Sequence, residues 1–206
     1  MPIYEACVGD LEQAKKAAAL GADRIELCAD LAEGGITPSL GVIVLAKRVV
    51  KIPIHVIIRP RGGDFVYSAD ELQAMRIDIL KCRELGVAGV VFGVLDRGNR
   101  IARPEMQELL AAARPMKVTF HMAFDEVAER REAIDILAGL GVERILTRGG
   151  AGSAPANLAA LRELVEHAGE RLIVMPGGGI TRVNREQVAA ATGAVELHGT
   201  RIVGAL

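Results

Sequence analysis

Eight short apolar, β-branched runs, separated by longer stretches of helical periodicity, constrain this chain more than any other feature. The runs are Ile3 to Val8, Arg24 to Cys28, Ile54 to Ile58, Gly89 to Val94, Lys117 to Met122, Arg144 to Thr147, Leu172 to Met175 and Ala194 to His198. Between them lie Leu11 to Leu20, Leu40 to Val50, Glu71 to Leu85, Glu105 to Ala112, Ala128 to Leu140, Ala156 to Ala168 and Asn184 to Ala191, each long enough for a crossover helix. Alternation of this kind builds βα units around a parallel sheet. With 206 residues, half of them hydrophobic, the chain can bury a core without metal or disulfide staples, as one domain over residues 1–206.

Four of the helical stretches end on a glycine that leads straight into a strand: Gly21, Gly86, Gly141 and Gly193. A glycine just past the last turn takes the left-handed conformation that ends a helix without a Cβ clash. These glycines precede the second, fourth, sixth and eighth strands, a recurrence every two βα units that favours an α/β fold of the (β/α)8 TIM-barrel type. An open doubly wound sheet is the alternative, but no G-x-G-x-x-G follows the first strand. Eight residues follow His198, so the eighth outer helix is expected to be missing, shortened to one turn, or supplied by a neighbouring subunit.

Charge narrows the partners. The chain carries 25 Lys plus Arg against 26 Asp plus Glu, with the two signs interspersed, so no nucleic-acid footprint is expected. No apolar run is long enough to span a bilayer, and the start of the chain does not read as a signal peptide, so no membrane partner is expected either. Three cysteines, an odd number, point to the reducing cytoplasm.

Side chains alternate faces along a strand, so Glu5 and Cys7 share one face, as do Arg24, Glu26 and Cys28, then His55, Ile57 and Arg59, then Thr119 and His121, then Glu196 and His198. Helices cover the outside of a barrel and demand apolar contacts there, so the polar set is expected to point inward. Glu5, Arg24, Glu26 and Arg59 then either fill the lumen as a self-satisfied network or serve a ligand. Cys7, Cys28, Arg59, His121 and His198 sit at carboxyl ends of strands, where barrel sites are assembled.

Two loops carry chemistry of their own. Arg59-Pro60-Arg61-Gly62-Gly63-Asp64-Phe65 offers two guanidinium groups to a carboxylate or phosphate, with Asp64 beside them. Pro176-Gly177-Gly178-Gly179-Ile180 follows the seventh strand, where barrels present backbone N–H groups to phosphate. Either loop also reads as a plain glycine-rich turn. His121 with Asp125 reads as an acid/base and its orienting group, as a metal ligand with its partner, or as a core histidine. Cys7 and Cys28 end neighbouring strands, and paired thiolates favour Cu(I), although two small buried hydrophobes are the plain alternative.

Taken together, Gly21-Ala22-Asp23-Arg24-Ile25-Glu26-Leu27-Cys28, Glu33-Gly34-Gly35-Ile36-Thr37-Pro38-Ser39, Ile57 to Phe65, Val118-Thr119-Phe120-His121, Ala123-Phe124-Asp125 and Met175 to Ile180 resemble the CutC copper homeostasis family. The resemblance spans nearly the whole chain. It implies a cytoplasmic (β/α)8 barrel, a homo-oligomer with a dimer favoured, a role in copper handling, and Cys7 and Cys28 as Cu(I) ligands. Met122 departs from the arginine common in the family after the histidine.

Two functions remain in view. The first is a Cu(I)-binding homeostasis protein with an anion-accepting pocket and no organic cofactor. The second is a barrel enzyme of lyase, isomerase or hydrolase type, acting on a small phosphorylated or carboxylated metabolite. In it Glu26, His55, His121 and Asp125 are the catalytic candidates, and Arg59, Arg61, Asp64, Gly177, Gly178, Gly179 and His198 the binding ones. Convergent cations at a barrel mouth repel a metal ion and so favour a small anion there.

Overall fold

The computed structural model describes all 206 residues. Strands β1 (Ile3–Val8), β2 (Arg24–Leu27), β3 (Ile54–Ile57), β4 (Gly89–Phe92), β5 (Lys117–Phe120), β6 (Arg144–Thr147), β7 (Ile173–Pro176) and β8 (Glu196–Gly199) run parallel. Helices α1 (Leu11–Ala19), α2 (Leu40–Val49), α3 (Ala69–Glu84), α4 (Arg103–Ala113), α5 (Arg130–Gly139), α6 (Leu158–Ala168) and α7 (Arg185–Thr192) alternate with them. Ladders run in the order β7-β6-β5-β4-β3-β2-β1-β8. β7 and β8 lie side by side, and the parallel bridge between Thr181 and Arg201 closes that seam just beyond the strands. The sheet is thus a nearly closed (β/α)8 barrel.

Local sequence sets most of these boundaries. Gly21, Gly86, Gly141 and Gly193 all have positive φ, between 66° and 86°, so the four-glycine recurrence is a series of left-handed helix exits. The third helix begins two residues before Glu71, because Ser68 Oγ accepts from Glu71 N while the Glu71 carboxylate accepts from Ser68 N. The fifth strand stops at Phe120: His121 Nδ1 accepts from Ala123 N at 3.3 Å, which turns Met122–Glu126 into a short 3₁₀ helix.

No helix follows β8. Residues 200–206 fold back instead, and Ile202 and Val203 are fully buried where an eighth helix would pack. Arg185 pins this segment by donating to the Ile202 carbonyl at 2.9 Å and stacking over Tyr4 at 3.9 Å. No helix of the chain is long and apolar enough to cross a membrane.

The outward strand residues Ala6, Val8, Ile25, Leu27, Val56, Ile58, Val118, Phe120 and Leu197 join the helices in one apolar core. The inward face is polar. Arg24 forms ion pairs with both Glu5 and Glu196, and its Nη2 reaches Met175 Sδ across the lumen at 3.5 Å. Arg144 Nε meets the same Glu196 carboxylate at 3.1 Å. Two cations and two anions therefore close the barrel floor with no net charge. Removing one partner of a buried pair costs about 3–5 kcal/mol, because the opposite charge stays behind. Arg24→Ala, which takes one cation from both Glu5 and Glu196 and leaves them only His198 and Arg144, should lose about that much in urea unfolding, and more than Arg144→Ala, which leaves Arg24 in place.

Candidate active site at the barrel mouth

Above the floor, Glu5 links the network to the carboxyl ends of the strands. Its Oε1 lies 2.8 Å from His198 Nδ1, and His198 Nε2 lies 3.4 Å from Glu26 Oε2. Cys7 Sγ is 3.9 Å from Cys28 Sγ, and the ligand atoms of Cys7, Glu26 and His198 all lie within 4.8 Å of one another. All five residues are buried. They sit there because Glu5 pairs with His198 across β1 and β8, while Cys7 pairs with Glu26 across β1 and β2.

This density of charge shifts every group in it. Burial would raise the Glu5 carboxyl, but the hydrogen bond with His198 and the Arg24 guanidinium hold it far below the carboxylate range. The contacts with Cys28 and His198 outweigh burial at Cys7 and bring its thiol down to about 5. The same contact with Cys7, together with burial, pushes Cys28 up. Burial and then the Cys7 charge raise Glu26. His198 is raised despite burial, through Cys7 and Glu5.

Cys7, Glu26, Cys28 and His198 line a cavity of about 410 Å³, together with Arg148, Gly178 and Gly179. Gly178 and Gly179 have φ of +88° and +82°, and neither N–H donates within the chain. Arg148, which lines the cavity, donates its Nε and its backbone N–H to Asp125, and its terminal nitrogens have no partner within the chain. Gly177 donates to the Thr147 carbonyl and packs near Met122 and His198.

Several expected groupings do not form. Arg59 reaches the cavity, but its guanidinium donates to the carbonyls of Glu33, Gly35 and Gly63 at 2.7–3.1 Å and stacks over Phe65. It binds two loops together. Arg61 lies outside the cavity, bound to Glu71 at 2.6 Å, to Asp64 at 3.1 Å and to three carbonyls of its own loop. The expected clamp of Arg59 and Arg61 with Asp64 is therefore absent, because backbone carbonyls and local carboxylates take those donors first.

His121 and Asp125 do not pair either. The Asp125 carboxylate accepts from the Thr147 hydroxyl and from Arg148, latching the β6 end onto the 3₁₀ helix. His121 lines the cavity alone, with Nε2 unpartnered. His55 lies below, its Nδ1 3.7 Å from Glu5 Oε2, and does not line the cavity. Sequence reading missed Arg144 and Arg148. Both had a signal: Arg144 opens the sixth strand as Arg24 opens the second, and Arg148 directly follows the sixth strand, as Arg59 stands two residues past the third.

Burial, with Arg59 nearby, lowers His121 to about 3. The folded protein keeps this ring neutral, while the unfolded chain takes up the proton near 6.5. Stability is therefore whole above about pH 6.5 and falls as pH drops toward 3, with a slope approaching about 1.4 kcal/mol per unit from this one group. His121→Gln should flatten the pH dependence of the urea midpoint between pH 6 and 4. An unchanged slope refutes this.

The CutC family's sequence profile matches residues 2–203. The copper homeostasis protein cutC homolog of Homo sapiens is 46% identical over 196 residues, covering 95% of this chain and 72% of that protein. A family protein CutC of Chromobacterium violaceum is 46% identical over 198 residues, covering 96% of this chain and 80% of its own. The crystal structure described as a putative copper homeostasis protein CutC, from Streptococcus agalactiae, superposes with a TM-score of 0.94 at 38% identity, covering 98% of this chain and all of that one. An aldolase superposes at a TM-score of 0.75 with 14% identity, a likeness of fold alone. With the profile and these relatives spanning nearly its whole length, the chain belongs to the CutC family.

Proposed function

We propose that this protein serves copper homeostasis by taking up Cu(I) at the barrel mouth on Cys7 and Cys28, with His198 as a third donor, and that the cavity also accepts a small anion. The observation that carries the metal reading is the pair of buried thiols 3.9 Å apart at the ends of neighbouring strands. Soft thiolates and an imidazole suit Cu(I), which needs only two or three ligands, and suit hard divalent ions poorly. The relatives named for copper homeostasis support the same direction.

The anion reading rests on the free N–H groups of Gly178 and Gly179 and on the free end of Arg148. Successive backbone N–H groups of a turn make a concavity that suits an anion, and a guanidinium adds charge. The reading needs no organic cofactor. It sets the protein in the reducing cytoplasm, where Cys7 and Cys28 stay as thiols, and as a homo-oligomer with a dimer favoured.

Anaerobic Cu(I) titration against a competing chelator tests the metal site. The parent should bind one Cu(I), and the Cys7→Ser, Cys28→Ser double variant should bind more than about 100-fold more weakly. Equal affinity in parent and variant, with both folded by circular dichroism, overturns the assignment.

A further inference from the structure

Glu5, His198 and Cys7 form a line from the barrel floor to the cavity. Glu5 is fully buried, with one carboxylate oxygen on Arg24 and the other 2.8 Å from His198 Nδ1. That fixes the ring: Nε2 lies 3.4 Å from Glu26 Oε2, and the Cys7 thiol sits in the same cluster, with the three ligand atoms within 4.8 Å of one another. A carboxylate that orients a histidine whose second nitrogen addresses a thiol is the arrangement that makes a cysteine nucleophilic.

The space in front of that thiol is the second observation. A cavity of about 410 Å³ is far larger than a metal ion requires, and its lining includes Gly178 and Gly179, whose N–H groups are unpartnered within the chain, and Arg148. Such donors repel a cation and attract an anion. Cys7 faces this space, whereas Cys82 is buried inside α3 away from it.

We propose that Cys7 is a covalent nucleophile for a compact carbonyl compound bearing a carboxylate or phosphate, held with its anionic group on Gly178, Gly179 and Arg148. The proposal rests on the anion-accepting reading of the cavity. The Cys7 thiolate, paired with the His198 imidazolium, forms a bond from Sγ to the carbonyl carbon. The C=O π pair moves to the oxygen, which then takes a proton from the His198 imidazolium. The product is a thiohemiacetal-type adduct, and no oxidant or reductant enters. Cys7 is the catalytic residue, His198 carries its proton, and Glu5 is a positioning residue.

Metal-free, reduced protein treated with iodoacetate or iodoacetamide at pH 7, with the labelled peptides mapped by mass, tests this. With either reagent the Cys7 thiolate forms an S–C bond, the C–I bond breaks and iodide leaves. We expect label on Cys7 and none on Cys28 or Cys82. Iodoacetate should show saturation and react about 10-fold faster than the neutral reagent, the reverse of the order free thiols show, and inorganic phosphate should slow it by competition. Arg148→Gln should raise the half-saturating concentration at unchanged limiting rate. Glu5→Gln should lower the limiting rate about 10-fold at unchanged half-saturation, a split that loosened packing alone does not give.

Label shared between Cys7 and Cys28, faster reaction with iodoacetamide, or no protection by phosphate overturns the proposal. Should Glu5→Gln fail to fold, the reagent order and phosphate competition on the parent protein decide. A chain that binds Cu(I) tightly while its Cys7 ignores reagent charge removes the nucleophile and leaves the copper reading intact. Label on Cys7 with the expected order and no Cu(I) binding does the reverse.

Discussion

The Glu5 carboxylate is the interaction on which the rest of this barrel depends. One oxygen meets Arg24 and the other meets His198, so a single buried anion serves the floor and the mouth at once. A carboxylate this deep is tolerable only when paired and hydrogen-bonded on both sides. Glu196 does the complementary job, joining Arg24 to Arg144. Strand closure and charge neutrality are therefore one requirement: residues from β1, β2, β6 and β8 must all be in place for the lumen to be electrically satisfied.

The floor pairs Arg24 and Arg144 with Glu5 and Glu196, and above it the mouth gathers Glu26, His198 and Cys7, joined to the floor through Glu5. Cys7 and Cys28 are chemically identical residues pushed in opposite directions, one near His198 and the other beside the first thiol and apolar Ile57. In the same cavity, glycine N–H groups and Arg148 present the opposite polarity. Thiols and anion donors in one lining let one cavity address both a soft metal ion and an anionic molecule.

Other polar residues serve rigidity. Arg59 ties the β2–α2 and β3–α3 loops through three carbonyls, Arg61 ties its own loop, and Asp125 latches β6. Each occupies a position where an active-site residue is plausible on chemistry alone. A loop's backbone carbonyls and a neighbouring hydroxyl are better placed competitors for these side chains than an external ligand.

Periodicity and glycine placement in the sequence determine the eight strands, seven helices and inward polar face, because the two-residue alternation and the left-handed helix exits are local properties. They also identify Glu26 as an inward residue, and Cys7, Cys28, Arg59, His121 and His198 as inward residues at the strand ends. Only the tertiary structure decides which of the convergent charges pair, since Glu5 and His198 lie 193 positions apart and meet through barrel closure. It alone separates Arg148, whose terminal nitrogens have no partner in the chain, from Arg59 and Arg61, whose terminal nitrogens are bound to their loops. Hydrogen-bond competition depends on distances of a few ångströms between segments remote in the chain, and no spacing along the sequence encodes those distances.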